Sequence, residues 1–117
     1  VLMAGCAGAW MLLTGDIGKA TEQEMLKAGV LSAVDVLKAG HHGSKYSTSE
    51  ALLNKIKPSH AVVSAGRKNA FGHPHPAVLE LLESYQVQIW RTDTTEADET
   101  VAVTTDCKGD YGVGYVY

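Results

Sequence analysis

Val34-Asp-Val-Leu-Lys-Ala-Gly-His-His-Gly-Ser44 is the stretch that decides the fold. Val34 to Ala39 is a short, largely apolar run carrying Asp35 and Lys38, and it reads as a strand. Gly40 ends it and two histidines follow at once. Working outward on the amino side, Trp10 to Leu13 reads as a strand that stops at Thr14-Gly15-Asp16. A helix follows over about Lys19 to Ala28, with Gly29 placed as its C-terminal stop. On the carboxyl side, Ser47-x-x-Glu50 has the form of a capping box. Leu52, Leu53 and Ile56 then share one helical face before Pro58 ends the helix. Ala61 to Ala65 is a third, valine-rich strand. Pro76 suits the first position of a helix, with Val78, Leu79, Leu82 and Tyr85 along one side. Val87 to Arg91 is a further strand. Thr100 to Thr104 and Val113 to Tyr117 read as closing strands separated by a Lys108-Gly-Asp110 turn.

Strands thus alternate three times with short helices. The pattern predicts an α/β fold with a mixed, partly parallel sheet and flanking helices. Its mixed character would come from antiparallel pairing of the last two strands. At 117 residues the chain reads as one domain, 1–117, long enough to bury roughly two thirds of its unfolded surface. Residue 1 already sits in an apolar run without an initiator methionine, as in a piece cut from a longer protein. The nearly uncharged stretch from Val1 to Gly15 falls short of the ~20 apolar residues that span a bilayer. Apolar residues make up 45% and charged residues 20%, which excludes a disordered chain. Ten Lys+Arg against thirteen Asp+Glu give a net charge of −3, which argues against a broadly basic nucleic-acid-binding surface but leaves room for a local phosphate pocket. Cys6 and Cys107 form no Cys-x-x-Cys pair, which excludes a zinc ribbon or thioredoxin-type site. They are either a disulfide or two buried thiols, and buried thiols are the expectation.

The polar residues fall in a telling place. Asp16, His41 with His42, and His73 with His75 each follow the end of a strand. Loops at the carboxyl ends of parallel strands share one edge of the sheet. Four of the five histidines and one carboxylate are therefore expected on a common rim. Imidazole and carboxylate are ligands for zinc, manganese or iron. Taken singly, Asp16 suits a turn or helix cap, and His75 suits the cap of the helix begun at Pro76. His60 reads as structural or surface. Asp93 and the run Glu96-x-Asp98-Glu99 read as a solvated turn. Lys45, Arg67 and Lys68 read as surface charges near the rim, where they could meet an anionic substrate. Gly15-Asp-Ile-Gly18-Lys19 fails the phosphate-loop pattern, because Leu13 stands five before Gly18 and Ala20 replaces Ser/Thr.

Leu12-Leu-Thr-Gly-Asp16, Asp35 to Lys45, Ser64-Ala-Gly-Arg67, Phe71-Gly-His-Pro-His-Pro76 and Arg91-Thr-Asp93 occur in this order. Together they resemble the second half of the metallo-β-lactamase-like hydrolase domain attached to competence (DNA internalization) proteins of the ComEC type, over about Leu12 to Val103. The resemblance implies half of an αββα sandwich, a two-metal site holding zinc or manganese at the sheet edge, and hydrolysis of a phosphodiester in DNA during uptake. It implies that Asp16 bridges the two metals and His41 is a ligand. His42 would contact phosphate or serve as an acid, and His73 and His75 would line the substrate site. The chain would be a soluble domain of an inner-membrane protein. The family's His-x-His-x-Asp-His motif, which supplies most ligands, belongs to the N-terminal half of the domain and is absent from this chain. The fragment alone is therefore expected to bind metal weakly and to be inactive. One sheet face, normally covered by the N-terminal half, would be exposed or used for a homodimer. Two alternatives stand beside this reading. One is a non-catalytic module that binds DNA or a partner. The other is a hydrolase of the same fold acting on another ester, amide or thioester.

Overall fold

The computed structural model describes residues 1–94 and 100–116. Five strands form the main sheet in the order β1-β2-β3-β4-β5: Leu2–Cys6, Ala9–Leu13, Val36–Lys38, His60–Val63 and Gln88–Arg91. Strands β2 to β5 are parallel, and β1 joins as an antiparallel edge strand. Three helices connect the parallel strands: α1 (Lys19–Ala28), α2 (Glu50–Ile56) and α3 (Pro76–Ser84). Strand order follows chain order, so right-handed crossovers stack all three helices on one face. The core lies there, with Leu12, Leu37 and Ala61 from the strands packed against Leu52, Leu53, Ile56, Val78 and Leu82 from the helices.

The expected α/β class, the parallel strands and the three helices hold. The sheet is mixed for a different reason than expected. Strands β6 (Thr100–Thr105) and β7 (Tyr111–Val116) do pair antiparallel, but as a separate two-stranded ribbon. The antiparallel member of the main sheet is β1, which pattern reading leaves out. The β1-β2 hairpin closes on Ala7 and Gly8, both at positive φ (48° and 88°). Such a turn matches strand twist, and glycine makes it cheap.

The ribbon lies against the sheet face opposite the helices. His60 of β4 meets the Tyr111 ring edge-on, and Trp90 of β5 packs against Tyr115. The Tyr115 hydroxyl accepts the backbone N–H of Arg91. Cys6 and Cys107 are joined as a disulfide with 5.2 Å between Cα atoms, which corrects the expectation of two buried thiols. The hairpin carries Cys6 and the ribbon tip carries Cys107, and their packing brings the two together. The second face, expected bare or dimeric, is therefore covered in part by the chain itself. An open groove of about 200 Å³ remains between them, lined by Ala4, Ala9, Trp10, Met11, Val36 and Tyr111 at the amino end of the strands.

Two local readings also change. The N-cap of α2 is Ser49, whose hydroxyl accepts from Leu52 N–H, and not Ser47. Ser47 donates instead to the Ile17 carbonyl at 2.6 Å. Asp93, expected in a solvated turn, is largely buried and grips Arg91 through two hydrogen bonds of 2.9 and 2.8 Å. That pairing raises the Arg91 pKa above its ordinary value, against the opposing effect of burial. The acidic run 96–99 lies outside the described residues. Among the described residues no helix is long and apolar enough to cross a membrane.

Candidate functional site: a histidine rim at the carboxyl ends of the strands

Three loops build the rim, and hydrogen bonds stitch them together. The loop after β2 carries Asp16. Its Thr14 hydroxyl donates to the Lys38 carbonyl at 2.9 Å, and its Gly15 carbonyl accepts His41 N–H at 2.8 Å. The loop after β3 begins with a 3-10 turn, Gly40–Gly43, in which His41 and His42 hold φ of 48° and 58°. Consecutive left-handed residues other than glycine cost about 1–3 kcal/mol each and persist only where surroundings dictate them. Here the dictation comes from both sides. Ser44 N–H returns to the His41 carbonyl, and the Gly43 carbonyl accepts His75 N–H at 2.9 Å from the third loop. That third loop, after β4, is organised by Asn69, whose amide bonds the carbonyls of Gly66 and His73 and accepts His73 N–H.

The side chains converge as the strand-end pattern predicts, with differences in detail. His42 Nε2 lies 3.9 Å from Asp16 Oδ1. His42 Nδ1 lies 2.8 Å from the Ser64 carbonyl, which fixes Nδ1 as the protonated nitrogen and turns Nε2 toward the rim. The His41 ring centroid is 6.2 Å from that of His42 and 5.7 Å from that of His73. His75 sits at the N-cap of α3, where its Nδ1 accepts Ala77 N–H at 3.1 Å. Its capping role is thus real, and only Nε2 is left to face anything else. His60 stands apart, accepting the Trp90 indole N–H on Nδ1.

The electrostatics follow from this crowding. Burial depresses the His73 pKa below its ordinary value, and the neighbouring His41, His42 and His75 depress it further. Burial likewise lowers the Lys38 pKa, while the Asp16 carboxylate pulls it back up. Lys38 therefore belongs to the rim, although its place inside an apolar strand was its sole signal. Thr14, Ser47 and Asn69, which hold the loops, carry no pattern that marks them.

The donor types suit a divalent cation, but their spacing does not gather them. Among the described residues no group of three or more His, Cys, Asp or Glu is close enough to hold a metal ion.

A singly wound, mainly parallel sheet with an imidazole–carboxylate rim is the class that fold and site define. Sequence comparison narrows it. The chain is 43% identical over 93 residues to ComE operon protein 3 of Bacillus subtilis, covering 80% of this chain and 12% of that protein. It is 45% identical over 82 residues to Recombination protein 2 of Haemophilus influenzae, covering 70% and 10%. It is 38% identical over 98 residues to Competence protein ComA of Neisseria gonorrhoeae, covering 83% and 14%. The chain thus spans about a tenth to a seventh of the length of these curated relatives. No family model matches it.

Proposed function

We propose that the chain is the C-terminal half of a metallo-β-lactamase-like hydrolase domain in a ComEC-type membrane protein of DNA uptake, and that it supplies one side of a phosphodiesterase site. The observation that carries this reading is the meeting of Asp16, His41, His42 and His73 on one rim. Similarity to a protein named Competence protein ComA supports the setting in DNA uptake. In this reading the zinc or manganese ions need further donors from the N-terminal half of the domain, so the 117-residue chain alone turns over no substrate. Asp16 and His41 would be this chain's contribution to those ions. Such ions supply a hydroxide at neutral pH and charge stabilisation at a phosphoryl group.

The remaining residues act on the substrate. His42, held through Nδ1 by the Ser64 carbonyl, offers Nε2 to a phosphoryl oxygen or to the leaving group. His73 lines the same space. His75 caps the N-terminus of α3, where the positive end of the helix dipole favours an anion, and leaves its Nε2 to meet one.

The test compares this chain with the complete domain. Metal analysis and hydrolysis of a plasmid should give occupancy and nicking for the complete domain and neither for this chain. In the complete domain, His41→Ala should lower metal content, whereas His42→Ala should spare metal and lower turnover by ~100-fold or more. Equal metal content in the two variants would remove the division of roles. Turnover of a thioester without any plasmid cleavage would move the site to another substrate class.

A further inference from the structure

The loops that carry the histidines also carry two large exposed aromatic rings. Phe71 is 81% exposed and Tyr46 is 68% exposed. Neither belongs to the core. Both are held in place. The Phe71 ring lies on the His73 imidazole with 5.8 Å between centroids and 26° between planes. Lys45 Nζ stands 5.1 Å above the Tyr46 ring centroid. The Tyr46 backbone is pinned by Lys19 N–H on its carbonyl and by the Ser44 hydroxyl on its N–H. The two loops are in direct contact, since Gly43 lies against Pro74 and its carbonyl bonds His75.

Charge tells what kind of partner fits. Segments 39–47 and 64–75 contain Lys45, Arg67 and Lys68, four histidines and no carboxylate. They hold +3, which leaves −6 for the rest of a chain whose net charge is −3. Flat aromatic faces set among cations beside imidazoles are the requirements of a polyanion with exposed flat bases. In a duplex the bases are stacked on one another and offer no free face.

We infer that Phe71, backed by His73, and Tyr46, backed by Lys45, form a stacking platform for unpaired nucleotide bases, so that the rim takes single-stranded nucleic acid. The inference rests on the phosphodiester reading and adds strand form and recognition residues to it. On this platform the phosphates between stacked bases pass Lys45, Lys68 and the imidazoles, with Phe71 between the base and His73.

The experiment is a fluorescence-anisotropy titration of the 117-residue chain with a fluorescein-labelled oligothymidine of about twelve nucleotides and with a duplex of equal length. The single strand should bind more tightly. Phe71→Ala should weaken its binding by about tenfold, Tyr46→Ala should weaken it to a lesser degree, and Phe71→Trp should restore it. Both rings are solvent-exposed, and equal melting temperatures will confirm that the variants fold. Binding of Phe71→Ala as tight as the parent, equal affinity for single strand and duplex, or binding of neither overturns the platform. None of these results bears on hydrolysis, which the metal and plasmid-nicking measurements decide separately.

Discussion

Glu22 shows how a single buried residue can set the position of a loop. It lies in α1, is fully buried, and its carboxylate accepts Thr48 N–H at 2.6 Å and Ser49 N–H at 2.8 Å. It therefore covers the N-terminus of α2 together with Ser49 and fixes where the histidine loop ends. Glu22→Ala strands two backbone donors in the interior and should cost about 3 kcal/mol in a urea unfolding titration. A loss below ~1 kcal/mol would mean water replaces the carboxylate. His73 sets a pH dependence. Its folded pKa lies below the ordinary 6.5, so the unfolded chain takes up the proton first as pH falls. Its effect is absent above that value, and stability declines as pH drops from there toward the folded pKa. Melting temperature against pH should show this acid-side slope, and His73→Gln should flatten it.

At the scale of elements, the three rim loops form one connected unit because each is bonded to the next. Gly43 is the tightest point. It has φ of +82°, and a Cβ there would stand 2.7 Å from Pro74 Cβ and 3.0 Å from Pro74 Cα. Gly43→Ala should lower stability by about 2–3 kcal/mol and shift the ring-proton NMR signals of His41, His42 and His73 together. Movement of one histidine signal alone would show that the loops are independent. Element by element, legibility followed the strength of the local signal. Strands that end in polar loops place Asp16, His41, His42, His73 and His75 on one edge from the sequence pattern. The cap of α2 was misplaced by two residues because Ser47, Thr48 and Ser49 all satisfy the local rule, and Glu22, far away in sequence, decides among them. Strand β1 escaped because Leu-Met-Ala-Gly-Cys lacks both alternation and β-branched residues. The pairing of Cys6 with Cys107 escaped because sequence separation says nothing about which hairpins meet. Lys38 joined the rim through tertiary packing that no pattern encodes.

For the whole molecule, winding in one direction puts every helix on one side and leaves the second side to the ribbon, its aromatic contacts and one covalent bond. The groove beside Trp10 shows that this cover is partial. Closing a loop of this size by a disulfide restricts the unfolded chain, so reduction should lower unfolding free energy by about 4 kcal/mol. Matched urea titrations with and without dithiothreitol read this directly, and unchanged midpoints would deny the bond an energetic role.

The same bond sets the path of mechanical load. In the 117-residue chain β1 lies up to Cys6 and β7 after Cys107, so a pull on the two ends loads those two strands and then runs through sulfur, bypassing β2 to β5 and the histidine loops. Stretched in an optical trap, the oxidised chain should yield little length while its interior stays folded. After reduction it should unravel further, by on the order of 350 Å.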